Sequence, residues 1–196
     1  MSPRSVTVLV DKREKRPLLF PATIQWFPDR SSHEHLIHVK EKVVRLDAGD
    51  YALEGHDAAG IERKATVDEI HKNLFTKDRK RAMSAFERFA KAFEVPYLLI
   101  EGSPAELWRP TRNVDQPAKV FDEMVRVATD LGFRLWFAGG CKSPDQRRRL
   151  GEVVLHVLVN HAFGRPPGDP TAGLGDLTSG HAAATIGMWK DAEEKT

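Results

Sequence analysis

The sequence predicts an α/β fold, a mixed β-sheet flanked by helices. Two observations carry this. Short β-branched and apolar runs separated by turn signals fill the first third of the chain. Later runs of the same kind alternate with stretches of 3.6-residue apolar periodicity. An antiparallel beginning that passes into strand–helix–strand units is the pattern of a mixed sheet covered on its faces.

Each element has its own reason. Residues 6–10 form a β-branched strand closed by a charged stretch and Pro17. Residues 18–32 lack periodicity and are broken by Pro21 and Pro28, so they read as loop. Residues 43–46 make a second strand, followed by the turn-prone Ala48, Gly49 and Asp50. Residues 51–53 and 61–64 flank EGHDAAG and pair as a hairpin. Thr66 caps a helix whose first turn holds Asp68 and Glu69, acids that suit its positive end. Over 79–93, Phe86, Phe89, Ala90 and Phe93 recur at helical spacing. Residues 97–100 (YLLI) are a buried type of strand, and 118–131 a helix with Val120, Met124, Val127 and Leu131 on one side. Residues 134–138 (RLWFA) make another buried strand. The helix over 144–163 turns Leu150, Val153, Val154, Val157, Leu158 and His161 inward. Residues 164–180 are rich in Gly and Pro, and 181–190 would give at most a short helix. The expected organisation is one domain over 1–163 and a tail over 164–196.

At 196 residues the chain is long enough to bury a sizeable core. With 41% hydrophobic and 30% charged residues it is not a disordered chain. No apolar run approaches the roughly 20 residues of a membrane span, and the N-terminus lacks the apolar core of a secretory signal. The single Cys141 excludes an intrachain disulfide and a Cys-based zinc site. A cytoplasmic protein is expected. The net charge is only +2, yet residues from 164 onward carry −2. The body is therefore +4, with basic clusters at 12–16, 77–81 and 147–149. Each cluster alone reads as a solvated face; three on one body bring an anionic partner into view.

The chemistry concentrates in residues 47–68. A hairpin centred near His56 sets opposite each other positions whose numbers sum to about 112, which puts Asp50 beside Glu62. Alternation along the strand puts Glu62 and Lys64 on one face and Arg63 on the other. Two acids and a lysine on one face suit metal-assisted phosphodiester hydrolysis. On spacing alone, a charged sheet edge that deters strand pairing, with Lys64 at its solvent side, is the plainer reading of Glu-Arg-Lys. A second acidic pair, Asp11 and Glu14, follows the first strand, where an ordinary polar turn is the plainer reading.

Together these stretches resemble a family. VLVDKREKRP, GDYALEG and IERKATVDEI resemble the XPF-type structure-selective nucleases, whose hallmark is GD-x(n)-ERK-x3-D within the wider PD-(D/E)-x-K nuclease fold. The hallmark stands here as Gly49, Asp50, Glu62, Arg63, Lys64 and Asp68, and the similarity continues through PYLLIEG at 96–102. The resemblance implies a restriction-endonuclease-like mixed sheet flanked by helices, and a DNA endonuclease dependent on Mg²⁺ or Mn²⁺. It implies Asp50, Glu62 and Asp11 as metal ligands, Lys64 as catalytic lysine, Arg63 as hallmark arginine and Glu14 as an upstream acid of the site. Asp68 is implied as a supporting acid, and Arg13, Lys77, Arg79 and Arg81 as DNA contacts. Implied partners are DNA and a second copy of the nuclease domain, with no membrane.

Two departures stand out. Asp78 takes a position where relatives commonly carry Gly, and the sequence shows no tandem helix-hairpin-helix module. This suggests a stand-alone nuclease of bacterial or phage type, acting on branched, flap or junction DNA in recombination, repair or phage DNA processing. The rivals are a non-catalytic DNA-binding scaffold subunit and a restriction or defence nuclease. Elsewhere, His33, His35 and His38 look metal-like but have no Cys or regular helical partner, and Cys141 reads as a loop thiol. Trp26, Trp108 and Trp136 read first as core or packing residues, with stacking on unpaired bases the lesser reading of Trp26 and Trp108.

Overall fold

Seven strands form one mixed sheet in the order β2-β3-β1-β4-β5-β6-β7 in a computed structural model that describes residues 4–27 and 35–164. The strands are β1 (Ser5–Asp11), β2 (Thr23–Trp26), β3 (His35–Val44), β4 (Tyr51–Leu53), β5 (Ala59–Lys64), β6 (Val95–Ile100) and β7 (Arg134–Phe137). The helices are α1 (Val67–Phe75), α2 (Arg79–Ala92), α3 (Pro104–Leu107), α4 (Pro117–Leu131) and α5 (Pro144–Phe163). Among the described residues no helix is long and apolar enough to cross a membrane.

β1 pairs parallel with β3 and antiparallel with β4; β4 pairs antiparallel with β5, and β5, β6 and β7 run parallel. The carboxyl ends of β1, β3, β5, β6 and β7 therefore share one edge of the sheet, and β4 starts there. Alternation divides the core in two. Val6, Val8 and Val10 of β1, Tyr51, Ile61 and Leu99 pack under Val154, Leu155 and Leu158 of α5. Leu98 and Ile100 face the other way, against Ile70 and Leu74 of α1, Phe86 and Phe89 of α2, and Val120, Met124 and Val127 of α4.

The structure corrects four expectations. The 18–32 loop contains β2, whose Ile24 and Trp26 point inward while Thr23 and Gln25 face out. Trp26 is thus a core side chain, only 2% exposed. β3 begins well before residue 43, because parallel pairing with β1 extends from Ser5 opposite His38 to Asp11 opposite Val44. β7 is an edge strand, so its residues are only partly buried. The inward face of α5 is rotated: Gly151, Leu155 and Val159 are buried with Leu150, Val154 and Leu158, whereas Val153 is 48% exposed. Apolar residues surround the second half of α5 on all sides, so periodicity could not fix its inner face. His35 and His38 lie three apart on β3 and so project to opposite faces; His33 and the tail expected beyond residue 164 lie outside the described residues.

Candidate active site

β4 and β5 pair with Tyr51 opposite Ile61 and Ala52 opposite Gly60, the register expected from the hairpin. One step further sets Asp50 against Glu62, and the Asp50 N–H donates to the Ile61 carbonyl at 2.7 Å. Tyr51 and Ile61 belong to the α5 face, so Asp50, Glu62 and Lys64 take the opposite one. Asp50 Oδ2 accepts from the Arg63 N–H at 2.7 Å, which fixes the carboxylate over the end of β5.

Lys64 is the centre of the cluster. Its Nζ lies 2.6 Å from Glu62 Oε1, 3.5 Å from Glu69 Oε1 and 5.6 Å from the centre of the Phe86 ring. Contrary to the solvent-edge expectation, the residue is only 8% exposed, because α1 and α2 cover this face of β5. Burial pulls its pKa down, but Glu62, Glu69 and Asp50 outweigh this and raise it, so the ammonium is retained at neutral pH. Asp50 shows the opposite balance. Burial, then the Glu62 carboxylate, push its pKa up to about 8, against the pull of Lys64 and the Arg63 N–H.

Arg63 does not face solvent. Its Nε donates to Glu101 Oε1 at 2.6 Å and its Nη1 to the Arg16 carbonyl at 2.8 Å, with Glu14 Oε1 at 3.3 Å. It ties β5 to the end of β6 and to the loop after β1. Asp11 is next in the row, donating its N–H to the Asp50 carbonyl at 2.9 Å. Its own carboxylate, 1% exposed, is held by the Arg13 N–H, Nε and Nη2. Burial raises its pKa, yet the bonds from Arg13 outweigh this and hold it below the usual range. Arg13 also feels the charges of Asp50 and Glu62, so it overlooks the pair.

The remaining expected residues lie elsewhere. Asp68 Oδ1 accepts from Thr111 Oγ1 at 2.8 Å and Asn113 Nδ2 at 2.9 Å, holding the turn before α4. Arg79 bridges α2 to α4, donating to Glu123 Oε1 at 2.6 Å and to the Leu74 carbonyl at 2.7 Å. Arg81 pairs with Asp78, and Lys77 is exposed beside it. Two contributors carried weak sequence signals. Glu69, three residues after Thr66, completes a capping arrangement and faces Lys64. Glu101, within PYLLIEG, is the anchor of Arg63.

Asp50, Lys64, Glu14, Glu69 and Arg13 line a cavity of about 450 Å³. Among the described residues no three acids, histidines or cysteines form a ready cation cage. Two adjacent carboxylates that repel each other in a buried setting nonetheless fit Mg²⁺, which takes one or two carboxylates and fills its other positions with water and phosphate. Glu62 does not line the cavity, so serving with Asp50 requires it to exchange Lys64 for the cation.

No protein-family model matches the sequence, and no curated protein matches it. Among solved structures, XPF from Aeropyrum pernix aligns with a TM-score of 0.51 at 22% identity, covering 79% of this chain and 60% of that one. The same protein in complex with DNA aligns with a TM-score of 0.48 at 23% identity, covering 79% of this chain and 64% of that one. The chain thus spans less than two thirds of the length of these proteins. The seven-stranded mixed sheet with helices on both faces is the XPF-type nuclease fold.

Proposed function

We propose that the protein is a divalent-metal-dependent DNA endonuclease hydrolysing phosphodiester bonds, on branched, flap or junction DNA in recombination, repair or phage DNA processing. The observation that carries this is the register that brings Asp50 beside Glu62, with the Lys64 ammonium 2.6 Å from Glu62 and both Asp50 and Lys64 lining a cavity. Asp50 and Glu62 are the residues that hold Mg²⁺ or Mn²⁺, with Asp11 the third acid of the row once Arg13 releases it. When bound, the metal supplies Lewis-acid stabilisation and an activated water.

The chain's own groups do the rest. Lys64 keeps its proton and stabilises the negative charge that develops on the phosphorane. Its raised pKa makes it an electrostatic group rather than a base. Arg63, Glu14 and Glu101 fix the loop after β1 against the ends of β5 and β6. Arg13 and the surrounding cations receive the flanking phosphates. All three members of the Asp50–Glu62–Lys64 set converge, which supports a working enzyme over a non-catalytic DNA-binding scaffold. A homodimer formed through this domain belongs to the same proposal.

The test is a panel of flap, splayed-arm, four-way and plain duplex DNAs with Mg²⁺, Mn²⁺ or EDTA. Cleavage of branched DNA that EDTA abolishes supports the proposal. Cleavage confined to one duplex sequence points instead to a restriction-type enzyme, and binding without cleavage to a scaffold.

A further inference from the structure

Three cavities follow one another along the carboxyl edge of the sheet. The cavity at Asp50 shares Arg16, Ala65 and Glu101 with a neighbour of about 340 Å³. That neighbour shares Gly140 and Cys141 with a third, of about 380 Å³, between β7 and α5. Joined through these shared lining residues, the cavities form a row, or trough, from Asp50 to the first turns of α5.

The charges of the trough are unevenly satisfied. Asp68 is held by Thr111 and Asn113, Glu101 by Arg63, and Glu106 by the Ser103 N–H. Asp145 sits in the first turn of α5, where the helix dipole favours an acid. Among the described residues, Lys15, Arg16, Lys142 and Arg149 make no ion pair, whereas Arg79 and Arg81 on α2 do. Lys15, Arg16, Lys142 and Arg149 are thus cations bordering this trough without an ion-pair partner among the described residues.

The third cavity brings aromatic, apolar and basic side chains together. Trp136 and Ala138 of the sheet edge form one wall, and Leu150 and Val153 of α5 the other. Val153 keeps 48% of its surface exposed at the opening. Gln146 and Arg149 stand at the rim. An indole, apolar side chains and a guanidinium lining one pocket complement a nucleobase and its phosphate. A base stacked inside a duplex cannot enter between a sheet edge and a helix, so the occupant is unpaired.

We propose that the β7–α5 pocket receives the base of an unpaired nucleotide on the DNA strand being cut, with Lys142 and Arg149 on its phosphates. This rests on the nuclease reading of the neighbouring site and deepens it by placing a base subsite in the same row as the cavity at Asp50.

Binding measured in EDTA separates the two ideas. The full chain and its Val153→Glu and Arg149→Glu variants are titrated against a fluorescent oligothymidylate and a blunt duplex of equal length, followed by anisotropy. Both substitutions are at exposed positions, and equal unfolding midpoints establish that the variants fold. Each variant should weaken single-strand binding by about tenfold and duplex binding by less than about twofold. The single strand should quench the tryptophan fluorescence of the wild type, and Trp136→Phe should diminish that quenching. Equal losses on both DNAs, no loss on either, or no single-strand binding by the wild type overturns the pocket. A wild type that binds as expected yet cuts nothing in Mg²⁺ overturns the nuclease reading and leaves the pocket standing.

Discussion

The Lys64 ammonium lies 2.6 Å from the carboxylate of Glu62, two positions earlier on the same strand and the same face. Lys64 is buried against Phe86 with Glu62 half-buried beside it, so Lys64 is at once the cation of the site and the counter-ion that lets two adjacent acids exist there. Lys64→Ala should therefore cost on two counts. Cleavage should fall by about 10²-fold or more through lost charge stabilisation. Stability at pH 8 should fall by about 1–3 kcal/mol, because a half-buried carboxylate is left unpaired. Denaturant unfolding alongside single-turnover cleavage checks both; an unchanged unfolding midpoint contradicts the burial account.

Asp50 predicts a pH dependence of stability. Its folded pKa is raised to about 8 against an ordinary value of 3.8. A raised carboxyl favours folding in its neutral form, so the contribution is complete below about pH 4 and is lost as pH rises towards 8. Asp50→Asn removes this loss. In metal-free protein the variant should be more stable than wild type at pH 8, with the difference vanishing near pH 4. Thermal melts in EDTA across that range decide it, and a gap that widens towards acid pH contradicts it.

Gly151 reverses the usual helix rule. In most helices Gly→Ala stabilises by about 1 kcal/mol. A Cβ at Gly151 would meet the Leu19 carbonyl oxygen at 2.2 Å, because α5 packs directly on the backbone of the segment before β2. Gly151→Ala should destabilise by about 1–3 kcal/mol. A stabilised variant would mean that this segment yields freely.

Arg63 is a positioning residue, and Lys cannot replace it. Its guanidinium serves Glu101, the Arg16 carbonyl and Glu14 together, a fork that one ammonium does not reproduce. Arg63→Lys should loosen the loop after β1, raising its proteolysis and lowering cleavage, while Glu101→Gln reproduces the proteolytic phenotype. Intact loop protection in both variants contradicts the clamp.

The hairpin was the most legible part of the chain, because its register follows from the turn alone and delivers Asp50 to Glu62. Strand alternation likewise separated Arg63 from Glu62 and Lys64. Three things were not legible, each for a physical reason. The cover over Lys64 comes from α1 and α2, whose approach depends on packing distant in sequence. The engagement of Arg79 with Glu123 depends on the α2–α4 contact, so a solvated arginine and a bridging one look alike in sequence. The four-residue β2 lies between prolines and is held by pairing with β3, which local propensity does not encode.

The central claim is that Asp50 and Glu62 hold a divalent metal for phosphodiester hydrolysis. Its most direct test is cleavage of one splayed-arm DNA in Mg²⁺ by the full chain and by Asp50→Asn, with binding of that DNA measured for both. Asn keeps the shape of the side chain and removes its charge. The variant should bind the DNA as well as wild type or more tightly, since repulsion of phosphate falls, and should lose metal-dependent cleavage. Cleavage by Asp50→Asn at the wild-type rate contradicts the account.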